Sequence, residues 1–255
     1  VRAESGEDGG DASAEAYGIE LGDLGATADS TVRNAGLIDI VVNAGVDATG
    51  EGISVGALGA FGLVENTGTI NVAANADIDV SIEGIEVDDA STAGAVIRNT
   101  GTLNLVARTR NDVNVSGIEV DTDLAATLTN GVADPEADDA NGEIIIRIYS
   151  EETDIDTVDA TGIDVQGDVL AGGMIANHGL IDIYVSAQDP NDTLEINGIE
   201  ADDIYGSLLN SGTINLELDA FDADDEDFTI AGIYSDAIKT TGVLSNSGKI
   251  DIDEV

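Results

Sequence analysis

The chain is predicted to be all-β, a right-handed parallel β-helix of about seven coils, and three observations in the sequence carry that reading. A ten-residue stretch recurs along its whole length, clearest at 96–105 as Val-Ile-Arg-Asn-Thr-Gly-Thr-Leu-Asn-Leu. Versions lie at 32–40, 64–72, 175–183, 208–216 and 244–252, with a broken copy at 128–131. A second signal, Gly-Ile, falls between successive copies at Gly18, Gly52, Gly84, Gly117, Gly162, Gly198 and Gly232, with spacings of 34, 32, 33, 45, 36 and 34. A self-similar period in this range marks a solenoid, in which no unit buries its apolar face until the next one stacks on it. The third observation is the local period. Ile38, Ile40 and Val42 alternate with Asp39 and Val41, and Ile214, Leu216 and Leu218 alternate with Asn215 and Glu217. Period two is the signature of strands and excludes the helical repeats of similar length.

Each coil then reads as three short strands in order. The first follows Asn-x-Gly. The second carries Gly-Ile. The third holds the apolar residue before the next Asn: Val32, Val64, Ile97, Leu128, Ile175, Leu208 or Leu244. Stacking pairs like strands in parallel and lines like residues into interior columns, such as Ile19, Ile53, Ile85, Ile118, Ile163, Ile199 and Ile233. The crossover preference of parallel strands makes the coil right-handed. At about 4.8 Å per coil, seven coils give a rod of about 34 Å. All of 1–255 is expected to form one solenoid domain. The 45-residue spacing places an insertion loop at about 132–140, containing Asp134, Glu136, Asp138 and Asp139.

Composition agrees. Ile, Val, Leu and Ala carry the core, there are 31 Gly, 2 Pro and no Trp, and aromatic residues are few (5 Tyr, 3 Phe). Fifty-two acids against 8 bases give a formal charge of −44. Such a surface repels nucleic acid and anionic lipid and keeps a protein dispersed. No apolar run approaches the ~18 residues of a membrane helix, so no direct insertion of this segment is expected.

The Asn residues of the repeat, Asn34, Asn66, Asn99, Asn177, Asn210 and Asn246, read as a structural ladder in which each amide bonds the same amide one coil away. The Gly two positions on is expected to supply a positive φ at the corner. Repetition argues against catalysis, since a catalytic residue is needed once.

Carboxylates form a second column. The outward position two residues after the Gly of Gly-Ile is Glu86, Glu119, Asp164 and Glu200 in four consecutive coils. Like charges at ladder spacing repel. Water, protons or divalent cations must relieve them. With Asp88, Asp89, Asp121, Asp123, Asp202 and Asp203 just beyond, they make an acidic edge that could hold Ca²⁺. No segment matches a full calcium loop: 222–227 lacks the turn Gly, and Asp139 stands where 134–139 would need one. No other cofactor is indicated. Phosphate loops, zinc spacings and nucleophile elbows are absent, the bases are scattered, and no aromatic platform for sugar stands out. The chain therefore reads as a non-enzyme, with a polysaccharide lyase or hydrolase as the alternative.

The alternation of Asn-Thr-Gly-Thr-Ile/Leu (66–70, 99–103) and Asn-Ser-Gly-Thr-Ile (210–214) with Gly-Ile-Glu-Val (84–87, 117–120) resembles the passenger regions of bacterial autotransporters and related surface adhesins, over essentially the whole chain. The resemblance implies a right-handed β-helix, export, and an extracellular or cell-surface location. The membrane barrel and leader of that family are not within these residues, and the acidity is extreme for it. Both ends of the sequence fall inside a coil, without a polar cap. This predicts a segment of a longer rod or a subunit that stacks end to end into a filament, with itself or with other surface proteins and glycans as partners. A Ca²⁺-dependent surface-layer component is the remaining expectation.

Overall fold

A computed structural model describes residues 1–4, 12–133, 141–150, 156–188, 193–221 and 227–254. It is a β-solenoid of three parallel sheets, and no described residue lies in a helix. Sheet A has eight strands, Arg2–Glu4, Leu37–Asn43, Thr69–Asn75, Thr102–Thr109, Glu143–Ser150, Leu180–Gln188, Thr213–Phe221 and Lys249–Glu254. Sheet B has seven, Ala14–Leu24, Asp47–Leu58, Asp79–Asp89, Asp112–Val120, Thr157–Val165, Thr193–Ile204 and Asp227–Ile238. Sheet C has seven shorter ones, from Ser30–Asn34 to Val243–Asn246. The chain visits A, B and C in turn, so every strand pairs with its counterparts one coil away.

The register follows the sequence repeat. Ile53 pairs with Ile85, Ile85 with Ile118, and Ile118 with Ile163. Val64 pairs with Ile97 and Ile97 with Leu128. These columns are the core: Ile70, Ile85, Ile97, Leu103, Ile118 and Leu128 are wholly inaccessible. Each such side chain contributes about 1.5–3 kcal/mol of burial. Among the described residues the fully buried apolar ones are all aliphatic, because three closely spaced sheets leave room for branched aliphatic side chains stacked on their own kind.

The Asn ladder runs through the inside of one corner. Nδ2 of Asn34 donates to Oδ1 of Asn66 at 2.9 Å, and the chain of bonds continues through Asn99, Asn130, Asn177 and Asn210 to Asn246 at 2.8–2.9 Å. Asn66, Asn99, Asn130 and Asn177 have no exposed surface. Oδ1 also accepts from the amide of the Gly two positions on, as in Gly36 to Asn34 at 3.1 Å. Asn130 therefore belongs to the ladder although its copy of the motif is broken. In that coil Gly142 takes the corner place: Glu143 N bonds Gly101 O, and Leu180 N bonds Gly142 O. The insertion thus sits between Asn130 and Gly142. Residues 134–140 and 222–226, which include the acids weighed above as calcium loops, lie outside the described residues.

One expectation is corrected. The glycines of intact Asn-x-Gly copies do not adopt positive φ; among the described residues the glycines that do are Gly25, Gly94, Gly131 and Gly172. Close approach is what they serve. A Cβ on Gly101 would overlap the carbonyl oxygen of Gly68, and one on Gly212 that of Gly179. The corners of successive coils touch backbone to backbone.

Candidate functional site

The strands of sheet B are bent, and the bend builds the site. The ladder skips the glycine of Gly-Ile: Glu83 pairs with Ser116 and Ile85 with Ile118, but Gly84 and Gly117 are left out. That glycine faces inward against sheet A. A Cβ on Gly52 would meet Ile70 Cγ2 at 2.5 Å and overlap the oxygen of Gly84. In a straight strand residues three apart point to opposite faces. Here Asn197 and Glu200, on either side of Gly198, point the same way: Asn197 Nδ2 donates to Glu195 Oε1 at 2.8 Å and to Glu200 Oε2 at 2.7 Å. The outward side chains before and after each bend converge into a trough that crosses the coils.

Two polar columns line it. One is the expected carboxylate column: Glu86 pairs with Glu119, Glu119 with Asp164, and Asp164 with Glu200. The other precedes the glycine and runs Glu51, Glu83, Ser116, Thr161, Asn197. Both are poorly hydrated. Glu83 and Glu119 are only 7 % and 6 % exposed. Burial pushes the carboxyl of Glu83 up to about 8, opposed by a hydrogen bond from Ser81 and helped by Glu119 and Glu86. Burial likewise lifts Asp164 to about 8, with Glu119 and Glu200 adding repulsion, and Glu119 to about 7. Asp159 rises to about 6, first through burial and then through Glu195 and Glu200. Glu51 is raised by burial and by Glu86 beside it. The charges that act most on these groups are all carboxylates. Glu86, Asp164 and Glu200 of the column are half-buried, whereas Glu119 is buried.

Donors reach only part of the trough. Ser54 Oγ donates to Glu86 Oε2 at 2.7 Å, Ser81 Oγ to Glu83 Oε1 at 2.6 Å, and Gln166 Nε2 to Glu119 Oε1 at 2.6 Å. Oε2 of Glu83, Oε2 of Glu119 and Oδ1 of Asn197 are buried with no hydrogen-bond partner.

The ten acids of the expected edge divide. Glu86, Asp88 and Asp121 come together, one oxygen of each within 4.8 Å of the others. Glu119 stands beside them, and Asp164 and Glu200 continue the column. Asp89 and Asp123 are engaged locally: Asp89 Oδ1 accepts from Ser91 N at 2.9 Å, and Asp123 Oδ1 from Asp168 N at 3.0 Å. Asp203 is paired with Lys239 at 2.6 Å. Asp202 is exposed, and slight burial with Asp236 and Asp168 nearby raises its carboxyl. Glu51, Glu83 and Asn197 are trough residues that sequence reasoning missed, and their only signal was a polar residue directly before the Gly of Gly-Ile. Asp159, two positions ahead of Thr161 in that column, was missed as well.

Sheet A carries a second cluster. The guanidinium of Arg108 lies 4.7 Å from the ring centre of Tyr149, whose ring is 6.0 Å from that of Tyr184. Arg147 is paired with Asp182 on the adjacent strand. Stacking brings Arg108 and Arg147, far apart in sequence, onto adjacent strands. His178 is half-buried with Nδ1 2.7 Å from Ser211 Oγ, and burial lowers its pKa.

Comparison with protein-family models, curated proteins and solved structures gives no match to this chain.

Proposed function

We propose that the chain is part of an extracellular structural or adhesive surface rod, in the manner of the autotransporter passengers its repeats resemble, and that such bodies stack end to end. One observation carries this reading. A single coil plan is stacked through the described coils, its three strands pairing with their counterparts one coil away and its Asn ladder running from Asn34 to Asn246. The same stacking between copies would pair strand edge to strand edge. A head-to-tail contact of this kind is open-ended and builds filaments. The acidic coat supports a body that stays dispersed sideways while growing lengthwise. Sedimentation and negative-stain microscopy of the purified chain test the assembly. Rods longer than one chain, shortened by Leu244→Glu, are the expected result. A monomer at every concentration, with identical behaviour of the variant, would remove the end-to-end form.

A second reading has its own support. The Arg108, Arg147, Tyr149 and Tyr184 cluster offers rings and planar cations beside Asp182 on one outer face, the combination a carbohydrate-active site requires. Glycan binding or cleavage lost in Tyr149→Ala with unchanged melting would favour it; an inert chain would not.

A further inference from the structure

The strongest unexplained feature of the molecule is the middle of the trough, where the third and fourth coils meet. Oxygens of Glu86, Asp88 and Asp121 lie within 4.8 Å of one another. Oxygens this close together can share one cation, since Ca²⁺ holds its oxygen ligands at about 2.3–2.6 Å. Behind them Glu83 and Glu119 are more than nine-tenths buried, and each keeps one oxygen with no donor. Glu119 pairs with Glu86 in the ladder, and Glu83 stands across the Gly84 bend from Glu86, as Asn197 does from Glu200 at 2.7 Å, so both orphaned carboxyls border the same cluster. Five carboxyl groups at one place, two of them desolvated and half-satisfied, leave a hole lined with oxygen that protons or a cation must fill. A buried unpaired acceptor is destabilising, more so when charged, and a cation satisfies several such groups at once.

The geometry points to a Ca²⁺ site formed by Glu86, Asp88 and Asp121 with the buried Glu83 and Glu119 carboxylates behind them. The donor set is all oxygen, which suits a hard cation; zinc and copper favour the nitrogen and sulfur ligands that this cluster does not offer. Its flexible, crowded carboxylates fit the six to eight oxygens of Ca²⁺ better than the strict octahedron of Mg²⁺. Asp88 belongs to the strand Asp79–Asp89, and Asp121 follows the strand Asp112–Val120. The ion would therefore clamp two adjacent coils of sheet B where like charges otherwise push them apart. The inference does not depend on the rod reading above.

Calcium titration calorimetry on the full chain, first stripped with chelator and then held in physiological salt and magnesium, tests it. The expected result is one saturable site per chain with a Kd of ~10⁻³ M or tighter, the range of extracellular calcium modules. Glu86→Gln and Asp121→Asn, both at accessible positions, should each weaken it ~10-fold or more, a loss of about 1.4 kcal/mol. Asp202→Asn, an exposed acid further along the same edge, should leave it unchanged. The two weakening variants should also melt higher than the parent in chelator, because repulsion is relieved, while losing the calcium-dependent gain. Unsaturable heats that magnesium reproduces and that Glu86→Gln and Asp121→Asn leave intact would overturn the site, assigning the response to general screening of the −44 surface.

Discussion

Single side chains in this solenoid matter according to where they stand in a column. Asn99 donates to Asn130 and accepts from Asn66, both buried. Asn99→Ala therefore orphans a donor above and an acceptor below, at about 1–3 kcal/mol each. We expect a loss of about 3 kcal/mol or more in urea unfolding. Asn246→Ala, at the exposed end of the same ladder, should cost well under about 1 kcal/mol. Equal effects at the two positions would refute a ladder that works by burial. The Asn residues were legible in the sequence because their spacing is the coil itself. Asn130 was visible only as a broken copy, since its glycine partner, Gly142, stands twelve positions further on.

At the scale of the strand, the bend at Gly-Ile governs both packing and electrostatics. Gly84→Ala would drive a Cβ into the Gly117 carbonyl and to 3.1 Å from Leu103 Cδ1. Overpacking of this kind costs about 1–3 kcal/mol, and thermal melting should show it. Gly22→Ala, where a Cβ meets nothing within 4 Å, serves as the neutral control. The same bend desolvates the carboxylates and sets a pH dependence. Glu83 and Asp164 titrate near 8 and Glu119 near 7 in the folded chain, all above their ordinary values near 4. The folded state then holds protons that the unfolded chain has released, so stability is full below about pH 4 and is lost as pH rises through about 8. In chelator the melting temperature should fall between about pH 5 and about pH 9, and Asp164→Asn should flatten the fall. A rise over that interval would contradict the burial of the trough. The Glu86–Glu119–Asp164–Glu200 column was legible as a period. Glu83 was not, because strict alternation puts it and Glu86 on opposite faces, and only the bend at Gly84 turns both outward.

Across the whole molecule, one repeat is used three ways: for a core, for a ladder, and for an acidic face. Stacking makes all three cumulative, so the ends are the weakest places. The filament test belongs to this scale. Added monovalent salt should raise the melting temperature of the chelated chain, since a charge of −44 resists compaction and salt screens it. The sequence by itself determined the three-strand coil, its register and the membership of each column, because in a parallel stack neighbours in space are residues one period apart. The tertiary structure alone decided which columns lose their water and which side chains meet across a bend. Those depend on strand curvature and on the close packing of sheet A against the glycines of sheet B, which no single period contains. The Arg108–Tyr149–Tyr184 cluster and the Glu83–Glu119 pair are both of this second kind: ordinary residues in sequence, made distinctive by what the stack brings beside them.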